Sequence, residues 1–264
     1  MIPSAGQFTV LSRRDRVVIS SCLVLLTALA WAYLIRLDRD MSAAMEHDQM
    51  MAEMGMVMDM PWTTADVLLA FAMWAVMMVG MMTPSAAPVV LLFAAMRRGS
   101  GAQRMPGIVF AFVAGYLLVW VCFSAVAALS QWALHQAALL SPMMTTSSAW
   151  LGAAILIAAG IYQLTPFKST CLTHCRSPLG FLMSHWRDGT GGALRMGIAH
   201  GTYCLGCCWA LMCVLFVVGV MNLLWVAAIA IFVLIEKVGP WGTLVARVAG
   251  VAMIVSGAYL LAGY

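Results

Sequence analysis

The chain has 264 residues, 64% of them hydrophobic and only 9% charged, with a net charge of +4. Soluble domains carry about 25% charged residues, so the composition excludes a soluble globular fold and points to a polytopic membrane protein. No basic run is interleaved with exposed aromatics, so the modest positive charge argues for membrane orientation and against nucleic acid as a partner.

Crossing roughly 30 Å of hydrocarbon takes about 20 apolar residues. Seven such runs are predicted, at 17–35, 62–83, 106–130, 148–165, 196–219, 221–238 and 243–263, giving an all-α, seven-helix membrane bundle within a single domain spanning 1–264. The first run follows Arg13, Arg14 and Arg16 and has no small-residue cleavage site before Arg36, so it is expected to remain as a span. The fifth and sixth are parted only by a tight turn around Val220 to Asn222, which predicts a helical hairpin. The last run is uninterrupted.

Between the first two runs, residues 36–61 are expected to form a methionine-rich exterior loop. Eight of the twenty residues 41–60 are methionine (Met41, Met45, Met50, Met51, Met54, Met56, Met58 and Met60), with His47, Glu46, Asp48, Glu53 and Asp59 among them. Thioethers are soft, uncharged ligands that suit Cu(I), and the carboxylates add attraction for cations. An amphipathic interfacial helix is the competing reading, but MGMVMDM alternates with period two, which makes a poor helical stripe. His47, Met50, Met54, Met56 and Met58 are the candidate ligands here.

The second run is nearly unbroken from Ala65 to Met96, too long for one straight span, and contains TPSAAP with Pro84 and Pro88. It is either one kinked helix or a span ending near Thr83 with a returning segment. Within it, Met73, Met77 and Met81 follow i, i+4, i+8 spacing, and Met78 and Met82 form a second pair. Such spacing puts thioethers on one face. Met77 and Met81 are the candidates, against the commoner role of methionine as packing.

Basic residues set the orientation. With the N-terminus inside, the inner segments hold Arg13, Arg14, Arg16, Arg97, Arg98, Arg104, Lys168, Arg176, Arg187, Arg195 and Lys237, and the outer loops only Arg36 and Arg39. This predicts N-in, C-out, with 166–195 as a cytoplasmic loop. That loop carries Cys171, His174 and Cys175.

The fifth run opens with HGTYCLGCCWALMC, residues 200–213. At about 100° per residue, His200, Cys204, Cys207 and Cys208 fall within an arc of about 100°, whereas Cys213 lies opposite. His200 to Cys208 spans about 12 Å of helix axis, too far for one ion to touch all four, so the group is expected to be completed from Cys171, His174, Cys175 or Met81. Close helix packing on Gly201, Cys204 and Cys208 is the alternative. Glu236 and Lys237, at the end of the sixth run, either pair or snorkel to the interface. Cys22 and Cys122 are isolated.

The segments MMVGMMTPSAAP (77–88), CLTHCRSPLGFLMSHWRDG (171–189), MGIAHGTYCLGCCWALM (196–212) and VMNLLW with EKVGPWG (220–242) resemble a bacterial family of metal-binding integral membrane proteins, a domain-of-unknown-function group sometimes labelled copper chaperone. The resemblance covers about 62–263 and leaves out the methionine-rich loop. It implies a multi-pass protein of the bacterial inner membrane that binds metal. Combined with the ligand chemistry, the expectation is a Cu(I)-handling protein, with zinc the lesser candidate. Its expected partners are the lipid bilayer, a cuproenzyme or periplasmic copper-binding protein and, as an option, a second copy of the chain. The alternatives are a membrane thiol/quinone oxidoreductase or a membrane-embedded metalloenzyme, and a non-catalytic assembly subunit. Neither paired carboxylates nor a nucleophile elbow nor a phosphate-binding glycine loop occurs, so enzymatic activity is not expected.

Overall fold

A computed structural model describes residues 11–53, 62–99, 105–137, 139 and 148–262. Among these residues the chain is all helical. Its elements are α1 (Arg13–Glu53), α2 (Thr64–Gly99), α3 (Met105–Gln136), α4 (Ala149–Leu164), α5 (Pro166–Arg176), α6 (Pro178–His185), α7 (Gly189–Val218), α8 (Leu223–Val238) and α9 (Gly242–Ala262).

Five of these helices are long and apolar enough to cross a membrane: α1, α2, α3, α7 and α9. The number rises to six if α4 and α5, bent by 62° at their junction, are one broken span. This corrects the expectation of seven. The α4 and α8 helices have 16 residues each, about 24 Å of axis, short of the hydrocarbon thickness. The bend after α4 has a local cause. Pro166 drives Thr165 into extended backbone, and the Thr165 hydroxyl then accepts from the Lys168 N–H, starting α5 as an N-cap.

Two expected loops are largely helix. Residues 36–53 continue α1, because the stretch from Leu37 to Glu53 contains neither glycine nor proline and is rich in Ala, Met, Glu and Gln, all good helix formers. Met50 is exposed on that extension. Met54, Met56 and Met58 lie outside the described residues, as does the side chain of His47. The segment 166–195 folds as α5, α6 and the first turns of α7, with Pro166 and Pro178 each at a helix start.

The long run from Ala65 to Met96 is one helix, with Pro84 and Pro88 inside it. Pro84 has no N–H to give the Gly80 carbonyl. The Trp31 indole of α1 donates to that carbonyl instead, at 3.3 Å, and so locks α1 to α2.

The centre of the bundle is α7, which packs on α3, α4, α5, α6 and α8. Its closest approach, to α3, is made by glycine. A Cβ on Gly197 would collide with the Phe112 carbonyl and lie 3.0 Å from the Tyr116 nitrogen, and one on Gly201 would lie 2.9 Å from Val119 Cγ2. Gly197 and Gly201 form the GxxxG pattern by which membrane helices approach closely. This approach carries Tyr116 against the next turn of α7. The predicted hairpin after α7 is present, and the Asn222 side chain caps α8 by accepting from the Leu224 and Trp225 N–H groups.

Candidate metal centre

The α7 face read from the sequence points inward: His200, Cys204, Cys207 and Cys208 are 3%, 1%, 1% and 0% exposed. The Cys207 and Cys208 thiols donate back to the Cys204 carbonyl at 3.0 and 2.9 Å, which fixes their rotamers along the helix. Cys213 is only half-buried, and Cys22 and Cys122 are exposed. None of these cysteines is in a disulfide.

The short helix α5 brings two more thiols against α7, Cys175 on this face and Cys171 on the far side of it, at Gly206. Cys175 Sγ is 4.0 Å from Cys207 Sγ. Cys171 Sγ occupies the space that a side chain at Gly206 would need, 2.8 Å from where its Cβ would stand. His174 takes a different position. Its ring stacks on Tyr203, centroids 4.3 Å apart and planes nearly parallel, and its Nδ1 is 2.9 Å from the Thr170 carbonyl.

Cys204 is the hub. Lys237 Nζ donates to its sulfur at 2.8 Å, with Ser85 Oγ at 3.4 Å and Met82 Sδ and Cys208 Sγ both at 4.0 Å. The Tyr116 hydroxyl lies 3.0 Å from the same sulfur and donates to the Met82 carbonyl at 3.1 Å. Below it, His200 sits among the rings of Phe112, Tyr116 and Phe181, and its buried Nδ1 has no hydrogen-bond partner among the described residues. An unsatisfied imidazole nitrogen beside buried thiols calls for an explanation.

Glu236 does not pair with its neighbour Lys237. It accepts from Lys168 Nζ at 2.8 and 2.9 Å and from Gln163 Nε2 at 3.3 Å, all three side chains buried, and Lys168 also donates to Gln163 Oε1. Arg176 donates to the Glu236 main-chain carbonyl at 2.6 Å. These bonds fasten α5 to α8, and thereby Cys171 and Cys175 to the site.

The methionines of α2 divide between two ends. Met73, Met77, Met78, Met81 and Met82 are all buried, and Met82 reaches the thiol cluster, its Sδ 4.0 Å from Lys237 Nζ. Met73 and Met77 line a small cavity of about 20 Å³ with Leu34, Asp38 and Met221, between α1 and the α7–α8 turn.

The sequence pointed to the α7 cysteines, to Cys175 and to the methionine helix. It missed that Lys237 enters the cluster, that Tyr116 joins it, and that Lys168 is buried. A lysine and a glutamate adjoining in an apolar helix was the available signal; for Tyr116 there was none.

Among the described residues, no three histidine, cysteine or acidic side chains are grouped to hold one ion as they stand. The donors occur instead as close pairs, Cys175 with Cys207 and Cys204 with Cys208, beside a thioether. Thiolate and thioether donors suit soft metals, Cu(I) and zinc among them, so the donor set is compatible with copper.

No curated protein matches the chain, and no solved structure does. A family model described as "Copper chaperone" matches residues 71–260, from the second turn of α2 to the last turn of α9, which takes in every thiol of the cluster together with Tyr116, His200 and Lys237. The chain therefore belongs to the PpoB2 copper chaperone family.

Proposed function

We infer that the protein binds Cu(I) as cargo and passes it through the bundle. The observation that carries this reading is the set of free, buried thiols around Cys204, with Met82 beside them and the unpartnered His200 imidazole one turn away. The methionine-rich segment 41–60 gathers the ion. Met73 and Met77 receive it in the cavity that α1 and α2 share, and Met78, Met81 and Met82 lead along α2 to Cys204, Cys207, Cys208 and Cys175. Each step exchanges one soft ligand for another, so the ion is never stripped bare in hydrocarbon, where an uncompensated charge is costly.

In this reading the chain lies in the bacterial inner membrane with its N-terminus and the α5–α6 region inside, as the distribution of basic residues favours. The capture segment then faces the periplasm and the thiols lie toward the reducing cytoplasm, where they stay available as ligands. The ion goes on to a cuproenzyme or another copper-binding protein, and methionine donors favour copper over zinc.

The test is Cu(I) titration of the purified protein in detergent against a chromophoric chelator. The Cys204→Ser/Cys208→Ser double variant is expected to lose the tight component, and unchanged stoichiometry in that variant refutes the site.

One observation favours a second reading, a thiol oxidoreductase: Cys175 and Cys207 are near enough to close a disulfide with a small shift. That reading gains if the pair cycles between dithiol and disulfide in cells, and fails if it stays reduced under every growth condition.

A further inference from the structure

Where α6 turns into α7, a cavity of about 360 Å³ is lined by His185, Arg187, Arg195, Met196 and Ala199. This lies within the range of small-molecule sites, about 300–1,000 Å³. No role has been given to it above.

The cavity is built by the chain's turn. Gly189 adopts φ +77°, a left-handed conformation open to glycine. Gly192 then lets the Arg187 backbone lie flat on α7, its carbonyl oxygen 2.9 Å from where a Cβ would stand. That approach brings the Arg187 N–H to Met196 Sδ at 3.3 Å. The acidic group nearest in sequence, Asp188, is engaged elsewhere: it accepts from Arg97 at 2.8 Å and from the Trp186 indole at 3.2 Å. Two arginines thus line the cavity, and among the described residues no carboxylate does.

Two soft donors stand in the same walls. Met196 is 1% exposed and is one helical turn before His200 on the α7 face that continues through Cys204 and Cys208. His185 has Nδ1 3.2 Å from the Phe181 carbonyl, and the tautomer that donates there leaves Nε2 as the free lone pair. His185 and His200 both contact one ring: their centroids are 4.8 and 5.0 Å from that of Phe181. A single phenylalanine thus touches both the histidine of the cavity wall and the buried one.

A bare cuprous ion would be repelled by Arg187 and Arg195. An anionic copper complex would be attracted, its carboxylates matching the guanidinium groups. We propose that this cavity is an exchange port at which Cu(I) passes between the bundle and a small, anionic, thiolate-bearing carrier. The proposal rests on the copper reading above. Arg187 and Arg195 hold the carrier, and His185 Nε2 with Met196 Sδ holds the ion on the bundle side of the exchange. In the inward direction the carrier's two Cu–S bonds are replaced by bonds to His185 and Met196, and two thiolate anions leave. In the outward direction the same bonds exchange in reverse. Copper remains Cu(I), and no electron moves.

The experiment loads the purified full-length protein with Cu(I) presented in two forms: the anionic bis(thiolate) complex of glutathione and the cationic acetonitrile complex. The Arg187→Gln/Arg195→Gln variant is expected to load about tenfold more slowly from the anionic complex, an effect of lost electrostatic steering, and no more slowly from the cationic one. Met196→Leu with His185→Ala is expected to slow loading from both, and loading at the unmodified rate in that variant overturns the port. In the unmodified protein, added salt should slow loading from the anionic complex alone. An arginine variant that slows both forms equally, or neither, overturns the port and leaves the copper site standing. If the unmodified protein takes Cu(I) from neither form, the copper reading falls, and the port falls with it.

Discussion

Lys237 Nζ stands 2.8 Å from Cys204 Sγ, and among the described residues no carboxylate shares that contact. The acid adjoining it in sequence, Glu236, is committed to Lys168. A buried ammonium needs a partner of opposite charge or a rich set of acceptors, and here the partners are a cysteine sulfur, Ser85 Oγ and the Met82 thioether. The lysine therefore holds Cys204 Sγ, and under the copper reading proposed above the ion and the ammonium contend for that sulfur.

Replacing the lysine should relieve that contest. Lys237→Met, similar in length and uncharged, is expected to tighten Cu(I) binding by about tenfold, the removal of a like charge a few ångströms from the ion. The dissociation constant from chelator competition is the measurement. Unchanged or weaker binding would show that Lys237 supports the site and does not oppose it.

The Cys175–Cys207 pair gives a probe of occupancy. Its sulfurs are 4.0 Å apart, against about 2.05 Å in a disulfide. A two-electron oxidant such as diamide is expected to cross-link α5 to α7 in the metal-free protein, detected by mass spectrometry of the fragments. Prior loading with Cu(I) is expected to suppress the cross-link. Equal cross-linking with and without copper would remove these two cysteines from the ligand set.

Stability should hinge on the Lys168–Glu236 pair, both side chains being 1% exposed. Lys168→Met leaves a buried carboxylate unpaired and is expected to cost about 3–5 kcal/mol, read as a large fall in the thermal midpoint in detergent. Lys168→Met/Glu236→Gln removes both charges and is expected to restore most of the loss. A double variant no better than the single would mean that the pair acts through its hydrogen bonds to Gln163 and not through charge.

The α3–α7 approach predicts a link between packing and the site. Gly197→Ala places a methyl against the Phe112 carbonyl, so the helices must separate and Tyr116 must move away from Cys204. Both the thermal midpoint and the Cu(I) affinity are expected to drop. Gly191→Ala is the control: nothing lies within 4 Å of its Cβ position, so its stability should change by no more than the 0.5–1 kcal/mol gained by alanine in a helix, roughly. Loss of stability in the Gly197 variant without loss of copper binding would uncouple Tyr116 from the metal.

Where side-chain chemistry repeats with the helical period, the sequence read well. The spacing of His200, Cys204, Cys207 and Cys208 required only that α7 be a helix, and all four are buried as expected. The extent of helices read poorly. Hydropathy falls after Ile35, yet α1 continues to Glu53 because helix propensity depends on backbone and rotamer freedom and not on polarity. Partner choice was beyond reach. Whether Glu236 turns to Lys237 or to Lys168 depends on where α5 lies after the bend at Pro166, a long-range fact with no local trace. The same bend removed Lys168 from the surface, although a lysine in a polar stretch ordinarily stays wet.

The bond from Trp31 to the Gly80 carbonyl reaches across the boundary of the family match, since α1 precedes residue 71 and Gly80 follows it. The acceptor exists because Pro84 vacated it, so the matched portion has an open carbonyl that the helix before it fills. The arm that carries the methionines is thus pinned to the matched portion at a level where α2 is itself short of a donor.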